Sequence, residues 1–376
     1  MLREVLTRFV EQEMPREEAR RWDREDRFPR EIFQKLADLG VMGLTIPEEY
    51  GGSGRDIPAT MMVIELLARR SMAVAIPYLM ATCYAGMNLY EVGSAQQKAE
   101  LLPRVVSGDL IFAYGWTEPD AGADLASVRT TAVRDGDSVV VNGAKRFCSG
   151  PEISDYIYTL VRTGPAEARH GNLSFVLIPP TTPGVSITKM SKLGARGVST
   201  TDVSLDDVRV PLDHIVGGEE AWNRGWQMLS GPGLNVEKLE VAALALGLAA
   251  AAFDDAWQYA QERQQFGKPI ATYQSLRHML ADMQTDLHAA RLMLNHAAWL
   301  SQQELPCGVE TSMTKLFVTE AAKRVVLQSQ TIFGAYGYVE DFDVERYVRD
   351  VLLMPIIGGS SAIQRNNIVN WRGLTR

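Results

Sequence analysis

Cysteine is scarce in this chain: Cys83, Cys148 and Cys307 are odd in number, far apart and without CxxC spacing. Such a set indicates neither a disulfide framework nor a thiolate metal site, and free buried thiols are expected. Histidine is also rare, with five residues, and His278, His288 and His296 fall on helical patterns as surface or packing residues, so no metal site is expected. There is no basic excess. Thirty-eight Lys and Arg against 46 Asp and Glu give a net charge of -8, which argues against a nucleic-acid partner. Long apolar runs are missing too: Val241 to Phe253 reads as the longest, well short of the ~20 apolar residues that span a bilayer. The opening residues space Leu2, Val5, Leu6, Phe9 and Val10 at helical intervals among charges, an amphipathic helix rather than a signal-peptide core, so a cytoplasmic location is expected.

What is present is enough apolar residue, 46%, for a large core divided into two or three domains. Residues 1–112 are helical in pattern, with REIFQKLADLGVMG ending at glycine and ATMMVIELLARRSM carrying apolar residues three and four apart. Between residues 113 and 220 the signal turns to short β runs such as SVVVNG, DYIYTLVR and LSFVLIPP, divided by Asp135-Gly136, Asn142-Gly143 and proline-rich turns. Residues 221–376 return to long helical patterns, Val236 to Gln264, Tyr273 to Gln303 and Val309 to Phe333, before a Gly358-Gly359 break. The expectation is an α+β chain: an N-terminal helical domain, a middle β-sandwich or barrel, and a C-terminal helical bundle.

Six strings lie along this order: IPEEYGG (46–52), YGWTEPDAGADL (114–125), NGAKRFCSG (142–150), ERQQFGKPI (262–270), FGAYGY (333–338) and GGSSAIQR (358–365). Together, in order and spacing over nearly the whole chain, they resemble the acyl-CoA dehydrogenase family of FAD-dependent enzymes, although each alone is weak. The resemblance implies that Tyr114, Trp116, Thr117, Gly122 and Ala123 line the flavin and the acyl path, and that Phe147 and Ser149 stack on the isoalloxazine and hydrogen-bond it. An aromatic and a hydroxyl two residues apart on a strand face one side, which suits a flat ring with a polar edge. It also implies that Arg263, with Gln265, Phe266 and Gln274, reaches the FAD pyrophosphate of a neighbouring subunit, where a guanidinium fork matches two phosphate oxygens. Gly334, Gly337 and Ser360 match the remaining close approaches to FAD. Shared sites of this kind imply a homodimer or homotetramer.

One departure concerns the base. Most of the family places a glutamate where this chain has Gly358, whereas a branch including isovaleryl-CoA dehydrogenase, and with it crotonobetainyl-CoA reductase, carries it near the start of the first long C-terminal helix. The matching residue in GLNVEKLEVAALALG is Glu237, with Glu240 one turn later as its rival. A glutamate at a helix start also has a plain dipole explanation, worth ~0.3–1 kcal/mol. Gly358 keeps the backbone N–H that polarises the thioester carbonyl in the family. Gly358 and Ile357 leave room for a branched or bulky acyl group. The family's CoA-contacting aspartate and arginine read Asn235 and Lys238 here, and a common serine reads Ala123, so the thioester rides on CoA or on a carrier protein.

The activity implied is α,β-dehydrogenation of an acyl thioester, by α-proton abstraction and β-hydride transfer to flavin N5, with an electron-transfer flavoprotein as acceptor. Three alternatives on the same fold stay open: a flavin monooxygenase or oxidase, a reductase, and a flavoprotein without turnover.

Overall fold

A computed structural model describes residues 1–374; Thr375 and Arg376, the end of the third expected domain, lie outside the described residues. Helices α1 (Leu2–Glu13), α2 (Arg16–Arg24), α3 (Arg30–Asp38) and α4 (Ile57–Ala68) open the chain. Leu6 and Val10, one turn apart on α1, are buried, as the apolar spacing predicts. The start of α4 is set by Asp56, whose side chain accepts from the Ala59 N–H at 2.9 Å. Next come α5 (Met72–Leu79), a π-helical stretch Met80–Met87 and α6 (Asn88–Val92), which run on as one 21-residue helix. This helix, not Val241 to Phe253, is the segment long and apolar enough to cross a membrane among the described residues, and 83% of its most apolar window is buried within the protein. Helix α7 (Ala95–Val106) begins at a capping box, Ser94 and Gln97 each satisfying the other's backbone N–H.

The middle region holds β1 (Phe112–Gly115), β2 (Thr131–Asp135), β3 (Ser138–Ser149), β4 (Tyr156–Arg162), β5 (Leu173–Ile178), β6 (Val185–Met190) and β7 (Thr200–Pro211). These form one curled seven-stranded sheet, where a sandwich or barrel was expected: β4 takes β5 on one side and β1, then β2, on the other, and β3, β7 and β6 follow. The long β3–β7 pair shifts register between Val141 and Gly143 and again between Lys145 and Cys148. Bulges of this kind bend and twist a strand, so the sheet curls without splitting in two.

After α8 (Gly225–Leu229) the chain enters α9 (Pro232–Glu262), the hairpin β8 (Gln264–Gln265) and β9 (Lys268–Pro269), then α10 (Gln274–Gln302), α11 (Gly308–Phe333), α12 (Val344–Val351) and α13 (Ser361–Trp371). The alanine-rich run Val241–Phe253 of α9 is buried on every face, because α4, α10, α11 and α12 all pack on it. Charge joins the two ends of the chain: buried Asp343 accepts from Arg16 at 2.9 Å, Arg20 at 3.0 Å and Arg346 at 3.2 Å. The three cysteines are free and buried, and His278, His288 and His296 are exposed along α10.

Candidate active site

A small cleft forms where the curled sheet meets the helices. Asn88, Glu91 and Val92 of α6 line it, with Tyr114 of β1 and Trp116 just beyond, Tyr158 of β4, Phe175 of β5, Met228 and Leu229 of α8, and Gly233 and Glu237 of α9. Tyr114 and Trp116 share a strand face and stack, centroids 4.2 Å apart and 14° from parallel, while Tyr84 covers the other side of Tyr114 at 3.5 Å. Tyr158 and Phe175, diagonal neighbours across β4 and β5, stack at 4.5 Å. The indole Nε1–H of Trp116 is buried without a partner.

Glu237 reaches this cavity from the second turn of α9, because the helix starts at Pro232, one turn earlier than the apolar pattern suggests. The first turn holds no acidic residue, so the dipole explanation for Glu237 does not apply. Glu237 is half-buried, on the lining of this cavity. Burial pushes its pKa up to about 7, against the opposing pull of Lys238 and Lys315. Glu240 is different. It is 2% exposed, its Oε2 has no hydrogen-bond partner, and burial raises its pKa well above the ordinary carboxylate value, against the opposing hydrogen bond of Cys83. Of the two rivals, Glu237 alone lines the cavity.

The residues around this helix start depart from expectation. Lys238 was expected to touch substrate, yet it is 3% exposed and donates to Asn235 Oδ1 at 3.2 Å and Ser312 Oγ at 3.1 Å. Asn235 also accepts from Thr311 Oγ1 at 3.2 Å. Both are committed to the α9–α11 contact. Lys315, on α11, is fully buried with no partner for its ammonium; burial lowers its pKa to about 8, while Glu320 and Glu237 oppose that shift.

Gly358 adopts φ +59, and a Cβ there would lie 2.9 Å from Val241 Cγ2, one turn beyond Glu237 on α9. The room expected at Gly358 for a bulky acyl group is therefore occupied by Val241. The same contact places the family's two base positions on neighbouring turns of one surface. Gln364 fixes the glycine pair by donating to both Gly358 and Gly359 carbonyls at 3.0 Å, and the Ser360 hydroxyl caps α13 by accepting from the Ile363 N–H.

The loop after β1 is pinned by a buried ion pair that sequence reading missed. Glu118 Oε1 accepts from Lys145 Nζ at 2.7 Å and from the Thr130 N–H at 2.9 Å, while its other oxygen accepts from the Arg129 N–H at 2.6 Å. This holds Thr117, whose carbonyl accepts from the Arg146 N–H at 2.8 Å, beside β3, and leaves Gly122 and Ala123 exposed beyond it. Phe147 sits in the β3 bulge with φ +60 and is 58% exposed. The simple two-residue alternation assumed for Phe147 and Ser149 is thus broken, since the bulge re-aims the ring.

The second group of candidates lies elsewhere. Arg263 caps α9 with its guanidinium 5.4 Å over the Tyr336 ring, and Phe266, at the tip of the β8–β9 turn with φ +53, is 93% exposed. The Gln265 carbonyl accepts from Tyr273 Oη at 3.0 Å, just ahead of the exposed Gln274. Gly334 has φ +61 and open space where a Cβ would stand, and Gly337 packs against Gln330. Glu237 and Arg263 are 26 positions apart on one helix, about 39 Å at a rise of ~1.5 Å per residue. Exposed rings at strained hairpin tips, a guanidinium fork and a buried indole donor fit a flat, hydrogen-bonding, phosphate-bearing group such as FAD.

Asn88, Glu91, Tyr158, Phe175 and Met228 also escaped the sequence reading. The two polar residues carried a signal, standing three apart in an otherwise apolar helix; the aromatic pair looks like ordinary strand core.

Comparison with known proteins agrees with the geometry. Residues 1–109, 113–208 and 223–372 match the N-terminal, middle and C-terminal domains of acyl-CoA dehydrogenases. The chain is 36% identical over 366 residues to an acyl-CoA dehydrogenase of Bacillus subtilis, covering 97% of this chain and 95% of the relative. It is 33% identical to the caffeyl-CoA reductase-Etf complex subunit CarC of Acetobacterium woodii, with the same coverage. The solved structure of butyryl-CoA dehydrogenase from Megasphaera elsdenii superposes with a TM-score of 0.93 at 29% identity, over 99% of this chain and 97% of that one.

Proposed function

The chain belongs to the acyl-CoA dehydrogenase family, and from that premise we propose that Glu237 is the base that takes the α-proton of the acyl thioester. The protein is an FAD-dependent oxidoreductase acting on CH–CH donors, with acyl-CoA dehydrogenation as its activity. When bound, FAD supplies the hydride acceptor. The carrying observation is that Glu237 alone of the candidate carboxylates opens into the aromatic cavity with a pKa near the working range of a general base.

The remaining roles follow from placement. Tyr114 and Trp116 form the apolar wall against which the acyl group is oriented, and the exclusion of water there strengthens the pull of Glu237 on the proton. The Gly358 backbone, held beside Val241 by Gln364, is positioned to polarise the thioester carbonyl. Thr117, Gly122, Phe147 and Ser149 hold FAD from the middle domain, with Gly334 and Ser360. Arg263, Gln265, Phe266 and Gln274 hold it from a second copy, so the working unit is a homodimer or homotetramer. Domain boundaries at 112 and 220 separate these contributions. The acyl carrier is CoA or a carrier protein, an electron-transfer flavoprotein takes the electrons, and the reaction runs in the cytoplasm. In the reductive direction the same carboxyl would return the proton.

Anaerobic mixing of the FAD-loaded protein with a panel of acyl thioesters tests the assignment through bleaching of flavin absorbance. The bleaching rate should rise with pH through about 7 as Glu237 ionises. Glu237→Gln should slow it by about 10²–10⁴-fold, the usual share of a general base. Unchanged bleaching in that variant, or its loss in Glu240→Gln alone, would move the base elsewhere.

A further inference from the structure

Lys315 lies on α11, clear of the cavity lining. Helices α9 and α11 run side by side in one direction: Asn235 meets Thr311 and Lys238 meets Ser312 at their starts, and Tyr259 stacks on Phe333 near their ends. That register sets Lys315 level with the turn of α9 between Glu237 and Val241. Packed helices stand ~8–10 Å apart, within the combined reach of a lysine and a glutamate. The Lys315 side chain is wholly buried, yet its ammonium has no acceptor among the described residues. Lys238, the other cation beside Glu237, is committed to Asn235 and Ser312.

The titratable groups around Glu237 are Lys238 and Glu240 on its own helix, Lys315 with Glu320 on α11, Tyr84 of the π-helical stretch and Tyr114 of β1. Cys83 and Glu91 act on Glu240. The charges of α4, α10 and α12 pair elsewhere, Glu65 with Arg291 and Arg346 with Asp343. The cations that can steady a carboxylate at 237 are therefore the two lysines. When an acyl group fills the cavity and excludes water, desolvation favours the protonated form of Glu237. The same loss of water strengthens the attraction of a fixed cation one helix away. We propose that Lys315 is a positioning residue whose charge, uncommitted to any hydrogen bond, keeps Glu237 a carboxylate in the substrate complex; this rests on Glu237 being the base.

The test follows the limiting rate of anaerobic flavin bleaching at saturating acyl thioester against pH, with the full-length FAD-loaded protein. Lys315→Met should move the inflection assigned to Glu237 upward by about one pH unit, roughly a tenfold slower rate on its acid side. Its urea midpoint should equal or exceed that of the wild type, because a buried ammonium without an acceptor is itself destabilising. Lys315→Arg, which keeps the charge, should keep the inflection. An inflection that moves by less than about 0.3 pH unit in Lys315→Met, or equally in both variants, overturns the proposal. So does a Lys315→Met chain that fails to fold, the result expected of a purely structural lysine. Bleaching in Glu237→Gln as fast as in the wild type strikes the base assignment instead. In that case the titration of the Glu237 carboxyl, isolated by infrared difference against Glu237→Gln, decides the matter, and a midpoint unmoved by Lys315→Met would refute the charge pairing.

Discussion

Glu237 and Glu240 are three residues apart on one helix and differ only in what surrounds them. Glu237 lines the cavity, and burial lifts its pKa to about 7 against the pull of Lys238 and Lys315. Glu240 meets Cys83 and core, and burial raises its pKa further. Gly358 makes the complementary case, since a residue there must accept φ +59 and avoid Val241. Gly358→Ala is expected to destabilise the protein by about 1–2 kcal/mol from the left-handed backbone alone, read as a lower urea midpoint. Gly122→Ala, where a Cβ meets nothing within 4 Å, should stay within about 0.5 kcal/mol and serves as the control. Equal midpoints for the two variants would mean that neither the left-handed backbone nor Val241 demands glycine at position 358.

Two strings that resemble a family signature turn out to be fastened to each other. Glu118 of the loop after β1 and Lys145 of β3 form a pair whose side chains are 5% and 0% exposed, so the loop and the bulged strand move as a unit. Burial lowers the Lys145 pKa, and the Glu118 carboxylate opposes this shift while its own pKa is held below the ordinary value by Lys145. Removing one partner leaves a buried charge uncompensated. Lys145→Met is therefore expected to cost about 3–5 kcal/mol in chemical denaturation, whereas replacing both partners by apolar residues should recover much of it. A loss under about 1 kcal/mol for the single variant would show that the loop is held by its other contacts.

At the scale of the molecule, α9 separates two jobs. Its start carries Glu237 into the cavity, and its end delivers Arg263 and the exposed Phe266 hairpin about 39 Å away. The proposed sharing of one flavin between two copies rests on this separation. Phe266→Asp should lower the mass seen by light scattering and release FAD together, leaving the secondary structure intact by circular dichroism. A wild-type monomer that retains stoichiometric FAD would contradict this division.

The sequence determined the order of helical, β and helical regions, because periodicity and turn chemistry are local properties that survive without an alignment. The resemblance to the family singled out Glu237, since the position that most members fill with glutamate is Gly358 here. Only the tertiary structure decided which glutamate faces the cavity, that Lys238 points into the α9–α11 contact, that Val241 fills the space beside Gly358, and that Glu91 shares the cavity with the base. Those outcomes depend on which side chains from distant elements exclude water from a carboxylate or an ammonium, and desolvation is set by three-dimensional neighbours that no spacing along the chain records.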